Sequence, residues 1–168
     1  AVINRIEELM VKHSENGALS MMMDYAILVA RFYETALGLG SLTLNTADEY
    51  VHRYQTDYYL TDQYYRQATE LYFKIDPTSE LFDSIQKVKL SLDQNYSKLC
   101  NRINLEWTRC LKETGGMDSV HLLRQDDFYD EKIKPIQKKV AVIVSDALRY
   151  EIAQELIGEL AKSRHVAS

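Results

Sequence analysis

The sequence predicts a mainly α-helical chain: a helical bundle followed by the first strand–helix unit of an α/β domain. Three observations carry this. Apolar residues recur at spacings of three and four through residues 1–113, the period of helices with one buried face. Leu81, Ile85, Val88, Leu92, Tyr96, Leu99, Ile103, Trp107 and Cys110 extend that period into one long seam. Finally, Val140-Ala141-Val142-Ile143-Val144 is an unbroken apolar run, β-branched at all but Ala141, that stops at Ser145-Asp146. Such a run reads as a strand buried on both faces, as in parallel sheets. The expected division is a helical bundle over 1–116, a connecting segment over 117–138, and the start of an α/β domain over 139–168.

In order along the chain, Ile3, Ile6 and Met10 give a short amphipathic segment closed by Ser14-Glu15-Asn16-Gly17. Leu19, Met22, Met23, Ala26, Ala30, Tyr33 and Leu37 mark the next helix, with Gly38 and Gly40 as its stop. Thr46-Ala47-Asp48-Glu49 is a capping-box sequence, and Val51, Tyr54 and Tyr58 continue the face that follows it. Tyr64, Ala68, Leu71 and Ile75 form another stripe, broken at Asp76-Pro77. The long seam predicts a helix from about Ser79 to Lys112, stopped by Gly115-Gly116. Its apolar face needs neighbours, and antiparallel helices of the same chain are at hand.

Composition bounds the function. The 168 residues are 46% hydrophobic and 27% charged, the balance of an ordinary globular protein. A net charge of −5 argues against nonspecific nucleic-acid binding by the whole surface. No signal peptide or bilayer-length apolar stretch is present, so a cytoplasmic location without membrane contact is expected. Cys100 and Cys110 share the long helix, where ten residues set them roughly 15 Å apart, too far for a disulfide. His13, His52, His121 and His165 share no ligand spacing with one another or with the cysteines. Met21, Met22 and Met23 read as core and helix surface, and Gln125-Asp126-Asp127 as an acidic helix start. Lys132, Lys134, Lys138 and Lys139 read as a solvated approach to the strand.

Tyr50, Tyr54, Tyr58, Tyr59, Tyr64, Tyr65 and Tyr72 crowd one region beside His52, Arg53 and Arg66. Stacking on single-stranded nucleic acid uses such aromatic and basic residues. Here Asp48, Glu49, Asp57, Asp62 and Glu70 offset the positive field, and helix packing with hydroxyls at the surface is the plainer account.

The turn after the apolar run is where open α/β sheets hold ligands. Leu148, Ile152, Leu156 and Leu160 start a helical pattern immediately beyond it. Asp146 at that turn has two readings, an N-cap for the helix or a carboxylate facing the crevice, and they are compatible. Arg149 and Glu151 fall in the first helical turn, where an arginine can approach a phosphate and a glutamate favours the positive helix end.

Val142-Ile143-Val144-Ser145-Asp146-Ala147-Leu148-Arg149-Tyr150-Glu151 resembles the opening motif of the PglZ domain, a branch of the alkaline-phosphatase superfamily. Asp127-Phe128-Tyr129 and Ile133-Lys134-Pro135 are similar to what precedes that motif. The resemblance is sharp over 139–157, weaker over 120–138, and rests on the consecutive residues Ser145 to Glu151. It implies an alkaline-phosphatase-like α/β fold and a phosphate mono- or diester hydrolase of bacterial phage-defence (phage growth limitation or BREX) systems. It further implies divalent metal in the full-length protein, zinc above all, with Asp146 as a metal ligand; Arg149, from its place in the first helical turn, is the candidate substrate-binding residue, able to meet a phosphate or to pair with a ligand carboxylate. The superfamily's Thr or Ser nucleophile and its further Asp and His ligands lie on later elements. With the chain ending at Ser168, no catalytic residue is expected within this segment, and no metal is expected bound to it.

The expected partners are other phage-defence proteins; nucleic acid enters only through the parent protein. The competing expectation is a helical scaffold that docks defence-system proteins and carries a non-catalytic phosphatase-like domain. A strand apolar on both faces is not stable alone. Residues 140–144 are therefore expected to pack on the bundle, to pair with a second copy of the chain, or to be marginally ordered.

Overall fold

The computed structural model describes residues 4, 5, 8 and 17–163. The segment carrying Ile3, Ile6 and Met10 falls largely outside the described residues, as do His13 and His165. The elements are α1 (Gly17–Gly38), α2 (Ala47–Arg53), a π-helical turn (Tyr54–Tyr58), α3 (Tyr59–Tyr72), α4 (Phe82–Thr114), a 3₁₀ turn (Gly116–Ser119), a second π-helical turn (Tyr129–Ile133) and α5 (Tyr150–Ser163). Helices α1, α3 and α4 form the bundle, and α5 docks on α3.

Helix α1 buries Tyr25, Val29 and Phe32, a stripe spaced four and three, together with Ile27. This differs from the face expected on Ala26, Ala30 and Leu37; Leu37 is 84% exposed. The reason is area. Turning the helix to bury Tyr25 and Phe32 removes far more apolar surface from water than burying two alanines. Met22 and Tyr33 still pack against the core from its margin.

After Gly38 the chain turns through Gly40 at φ 67°, a conformation that glycine adopts without strain. Leu39 and Leu42 are buried on either side of that turn. Tyr50 holds the loop by donating its hydroxyl to the Leu42 carbonyl at 2.7 Å and accepting the Leu44 N–H at 3.1 Å. The capping box forms as its sequence predicts: the Thr46 hydroxyl accepts the Glu49 N–H, and the Glu49 carboxylate reaches back to the Thr46 N–H.

Ala68 is buried on the expected stripe of α3, with Tyr64 and Leu71 partly so, while Ile75 is buried from the turn beyond the end of the helix. The helix ends at Tyr72, four residues ahead of the break expected at Asp76-Pro77, and the Asp76 carboxylate accepts both the N–H and the hydroxyl of Thr78 at 2.8 Å. Helix α4 begins at Phe82, later than Ser79, so Leu81 precedes the helix and stays exposed. Leu92 (0% exposed) and Cys110 anchor its seam, with Tyr96, Leu99, Ile103 and Trp107 packing beside them. Gly115, at φ 99°, closes the helix in the left-handed conformation. Both cysteines are free thiols. None of the described helices is long and apolar enough to cross a membrane.

The α/β expectation is corrected here. Residues 139–145 have no regular secondary structure, and no strand occurs among the described residues. Ile143 is 93% exposed and Val144 87%, with Val140 and Val142 also open to solvent. Packing of this run on the bundle is thereby excluded. A strand needs a neighbouring ladder to satisfy its N–H and C=O groups, and the described residues offer none. The helix half of the unit does form, as α5, starting at Tyr150.

Candidate functional site

Among the described residues, the turn ahead of α5 carries Asp146 and Arg149, and a cleft walled by aromatic side chains lies beside it.

Asp146 and Ala147 form the turn, with Ala147 at φ 55°, an uncommon backbone conformation for a residue with a side chain. Asp146 is exposed and lies four residues before the first residue of α5. That separation removes the N-cap reading for this helix, since a cap sits directly before the first turn. The carboxylate is free to meet a ligand, but it stands alone. Among the described residues no group of three or more His, Cys, Asp or Glu side chains is placed to hold a metal. One carboxylate is too small a donor set for a two-metal centre, and the side chains described here do not by themselves fit such a group.

Arg149 extends from the same turn, largely exposed, with Nη1 3.7 Å from Glu151 Oε1. Glu151 is 1% exposed, a burial the sequence did not signal. A charge so placed needs compensation. Arg149 and Arg66 of α3 supply part of it, Arg66 with Nε 3.9 Å from the same oxygen, and that oxygen accepts no hydrogen bond among the described residues. Arg66 also reaches Glu155 Oε2 at 2.5 Å, and Gln67 donates to Glu155 Oε1 at 2.5 Å. Tyr150 completes the joint. Its ring sits edge-on to Tyr54 and Tyr59, with centroids 5.8 and 5.4 Å away, and its hydroxyl donates to the Gln55 carbonyl at 3.4 Å. The helix following the turn is therefore fixed to the bundle, while the turn itself is open.

The cleft has a volume of about 500 Å³ and lies between the π-helical turn, α3 and α4, with Tyr150 at its margin. Tyr50, Tyr54, Tyr58, Tyr96, Trp107 and Tyr150 make its aromatic wall, and Asp62 contributes a carboxylate. Asp62 accepts hydrogen bonds from Tyr54 at 2.8 Å and Tyr96 at 3.0 Å. Burial, followed for each by its interaction with Asp62, pushes the pKa of both phenols above the ordinary tyrosine range. Both therefore stay protonated donors at neutral pH. Burial likewise pushes the Cys100 thiol up, which keeps it a thiol.

The π-helical turn shapes this wall. The Tyr59 N–H bonds back to the Tyr54 carbonyl, five residues away, inserting one residue into the helical run. Arg53 braces it, with Nε 2.7 Å from Asp57 and Nη2 donating to the Leu39 carbonyl at 2.6 Å. The sequence assigns these tyrosines to packing and gives Asp62 only the part of offsetting nearby positive charge. The available signal was the run Tyr54, Tyr58, Asp62, spaced by four on one helical face; Tyr96, arriving from α4, had none.

In class the molecule is a helical bundle that carries an exposed acidic turn on a docked C-terminal helix. Residues 128–168 match the family model of the BREX system PglZ alkaline phosphatase-like domain, and that stretch includes the turn and α5. No curated protein and no solved structure matches the chain.

Proposed function

We propose that residues 128–168 open a PglZ-type, metal-dependent phosphoesterase domain acting in bacterial phage defence, and that residues 17–114 are the helical scaffold ahead of it. The observation that carries this reading is the family match over the segment holding Asp146 and Arg149. The open turn supports it, because a ligand carboxylate must be accessible and Asp146 is exposed. Asp146 would hold a divalent metal, zinc in the superfamily pattern, and Arg149 would meet the substrate's phosphate through its fork of N–H donors. The nucleophile and the remaining ligands would come from elements outside the described residues. Other defence proteins are the proposed partners, in the cytoplasm.

The test is hydrolysis of 4-nitrophenyl phosphate and bis(4-nitrophenyl) phosphate by the full-length protein supplied with zinc or manganese. Asp146→Ala is expected to lower kcat at least about a hundredfold, the scale of losing a group that acts in the transition state. Unchanged activity in that variant would remove Asp146 from the reaction. A second reading is favoured by one observation, the exposed apolar run Val140–Val144. In it the chain is a scaffold that docks defence-system proteins or a second copy of itself through that run, beside a non-catalytic phosphatase-like domain. Metal-independent inactivity of the full-length protein on both esters would select it.

A further inference from the structure

We propose that the aromatic cleft around Asp62 is a binding site for a small organic cation, an aromatic or alkyl ammonium compound, held by the Asp62 carboxylate within the tyrosine and tryptophan wall. This inference is independent of the phosphoesterase reading.

Three observations carry it. First, the volume of about 500 Å³ suits a small molecule, and the lining is aromatic and aliphatic with few polar groups, the usual make-up of a ligand pocket. Second, Asp62 is half-buried in that wall and takes part in no ion pair among the described residues. The neighbouring cations are engaged elsewhere: Arg53 with Asp57, Arg66 with Glu155 and Glu151, Arg149 with Glu151, and Lys89 with Asp93. The hydrogen bonds from Tyr54 and Tyr96 orient the carboxylate without neutralising it. Two tyrosine donors also leave acceptor capacity on its oxygens. A negative charge held against aromatic rings is the arrangement that attracts an ammonium group, through Coulombic attraction and the ring quadrupoles together. Third, the cleft is bounded by the π-helical turn at Tyr54–Tyr58, an interruption of regular helix that is frequent at functional sites.

The protein carries a single tryptophan, Trp107, and it lines the cleft, so its fluorescence reports occupancy directly. The experiment titrates benzyltrimethylammonium, benzyl alcohol and benzenesulfonate into the chain, and into Asp62→Asn. Benzyltrimethylammonium is expected to change the emission saturably with a Kd of about 1 mM or tighter. Benzyl alcohol and benzenesulfonate are expected to bind at least about tenfold more weakly, the scale of a partly desolvated cation–π and charge contribution. Asp62→Asn should erase the preference for the cation. Equal affinity for the neutral alcohol, preference for the anion, no saturable change with the cation up to about 10 mM, or an unchanged preference in a folded Asp62→Asn protein would each overturn the proposal. The comparison among the three probes in the unaltered protein decides the question even where the variant fails to fold.

Discussion

The bundle of residues 17–114 and the segment of residues 120–149 are both supplied with apolar side chains, yet one buries them and the other leaves them in water. In the bundle, Tyr25, Phe32, Ala68 and Leu92 meet from three helices. In the segment, Leu122, Leu123, Phe128, Ile136, Val142 and Ile143 are all exposed. Hydrophobicity alone does not produce burial; a helix satisfies its own backbone and can then dock, whereas an isolated strand cannot. Helix α5 follows the first course, since it forms locally and finds α3. Residues 140–144 are β-branched at four of five positions and still remain unpaired among the described residues.

This contrast can be broken by substitution, and the largest effect belongs to the bundle. Leu92→Ala, at a side chain with no exposure, is expected to destabilise the chain by about 2–5 kcal/mol through lost burial and a residual cavity. Denaturant unfolding measures it, and a loss under about 1 kcal/mol would show that this layer is not tightly packed. Arg66→Ala acts next, at the joint between the regions. It strips Glu151 of one of its two compensating cations and Glu155 of its ion pair. Undocking of α5 should become easier by on the order of 2 kcal/mol, less than for a fully dry pair because Arg66 is partly solvated. Faster amide exchange across residues 150–160, with α4 unchanged, is the expected readout.

A smaller effect is set by pH. Asp48 accepts the His121 backbone N–H at 2.7 Å and also faces the His121 ring, and these bonds, the backbone one foremost, hold its pKa below the ordinary aspartate range. A depressed folded value means the contact stabilises fully above the unfolded pKa and is lost as pH falls through the folded one. The tie from the connecting segment to α2 should thus persist at neutral pH and release only in strong acid. The His121 amide shift in NMR follows it, and release between pH 7 and pH 5 would contradict the assignment. Smallest of all, Ile143→Ser should leave stability within about 0.5 kcal/mol, because the side chain already faces water.

How much the sequence revealed follows the same divide. The main helices, the Thr46 capping box and the Gly115 stop were legible because each depends on residues within a turn or two. The rotation of α1 was not, because choosing Tyr25 and Phe32 over Ala26 and Ala30 is made by the helices packed against it. The strand over 140–144 was misjudged for a related reason. Its composition states a preference, and pairing requires a second segment that composition cannot supply. At the candidate site, Asp146 is exposed on a turn with no strand ahead of it, so the sheet-edge setting expected for it did not form. The burial of Glu151 was not legible, since Arg66 lies far away in sequence and meets it only once α5 docks on α3.

Amide hydrogen exchange on the dilute chain tests the central claim most directly, that the bundle grips α5 while the acidic turn and the run before it stay open. Slow exchange is expected in α4 and in residues 152–158, beside near-unfolded rates for Val142, Ile143 and Val144. Deep protection of Val142 and Ile143, or α5 exchanging as fast as they do, would contradict it.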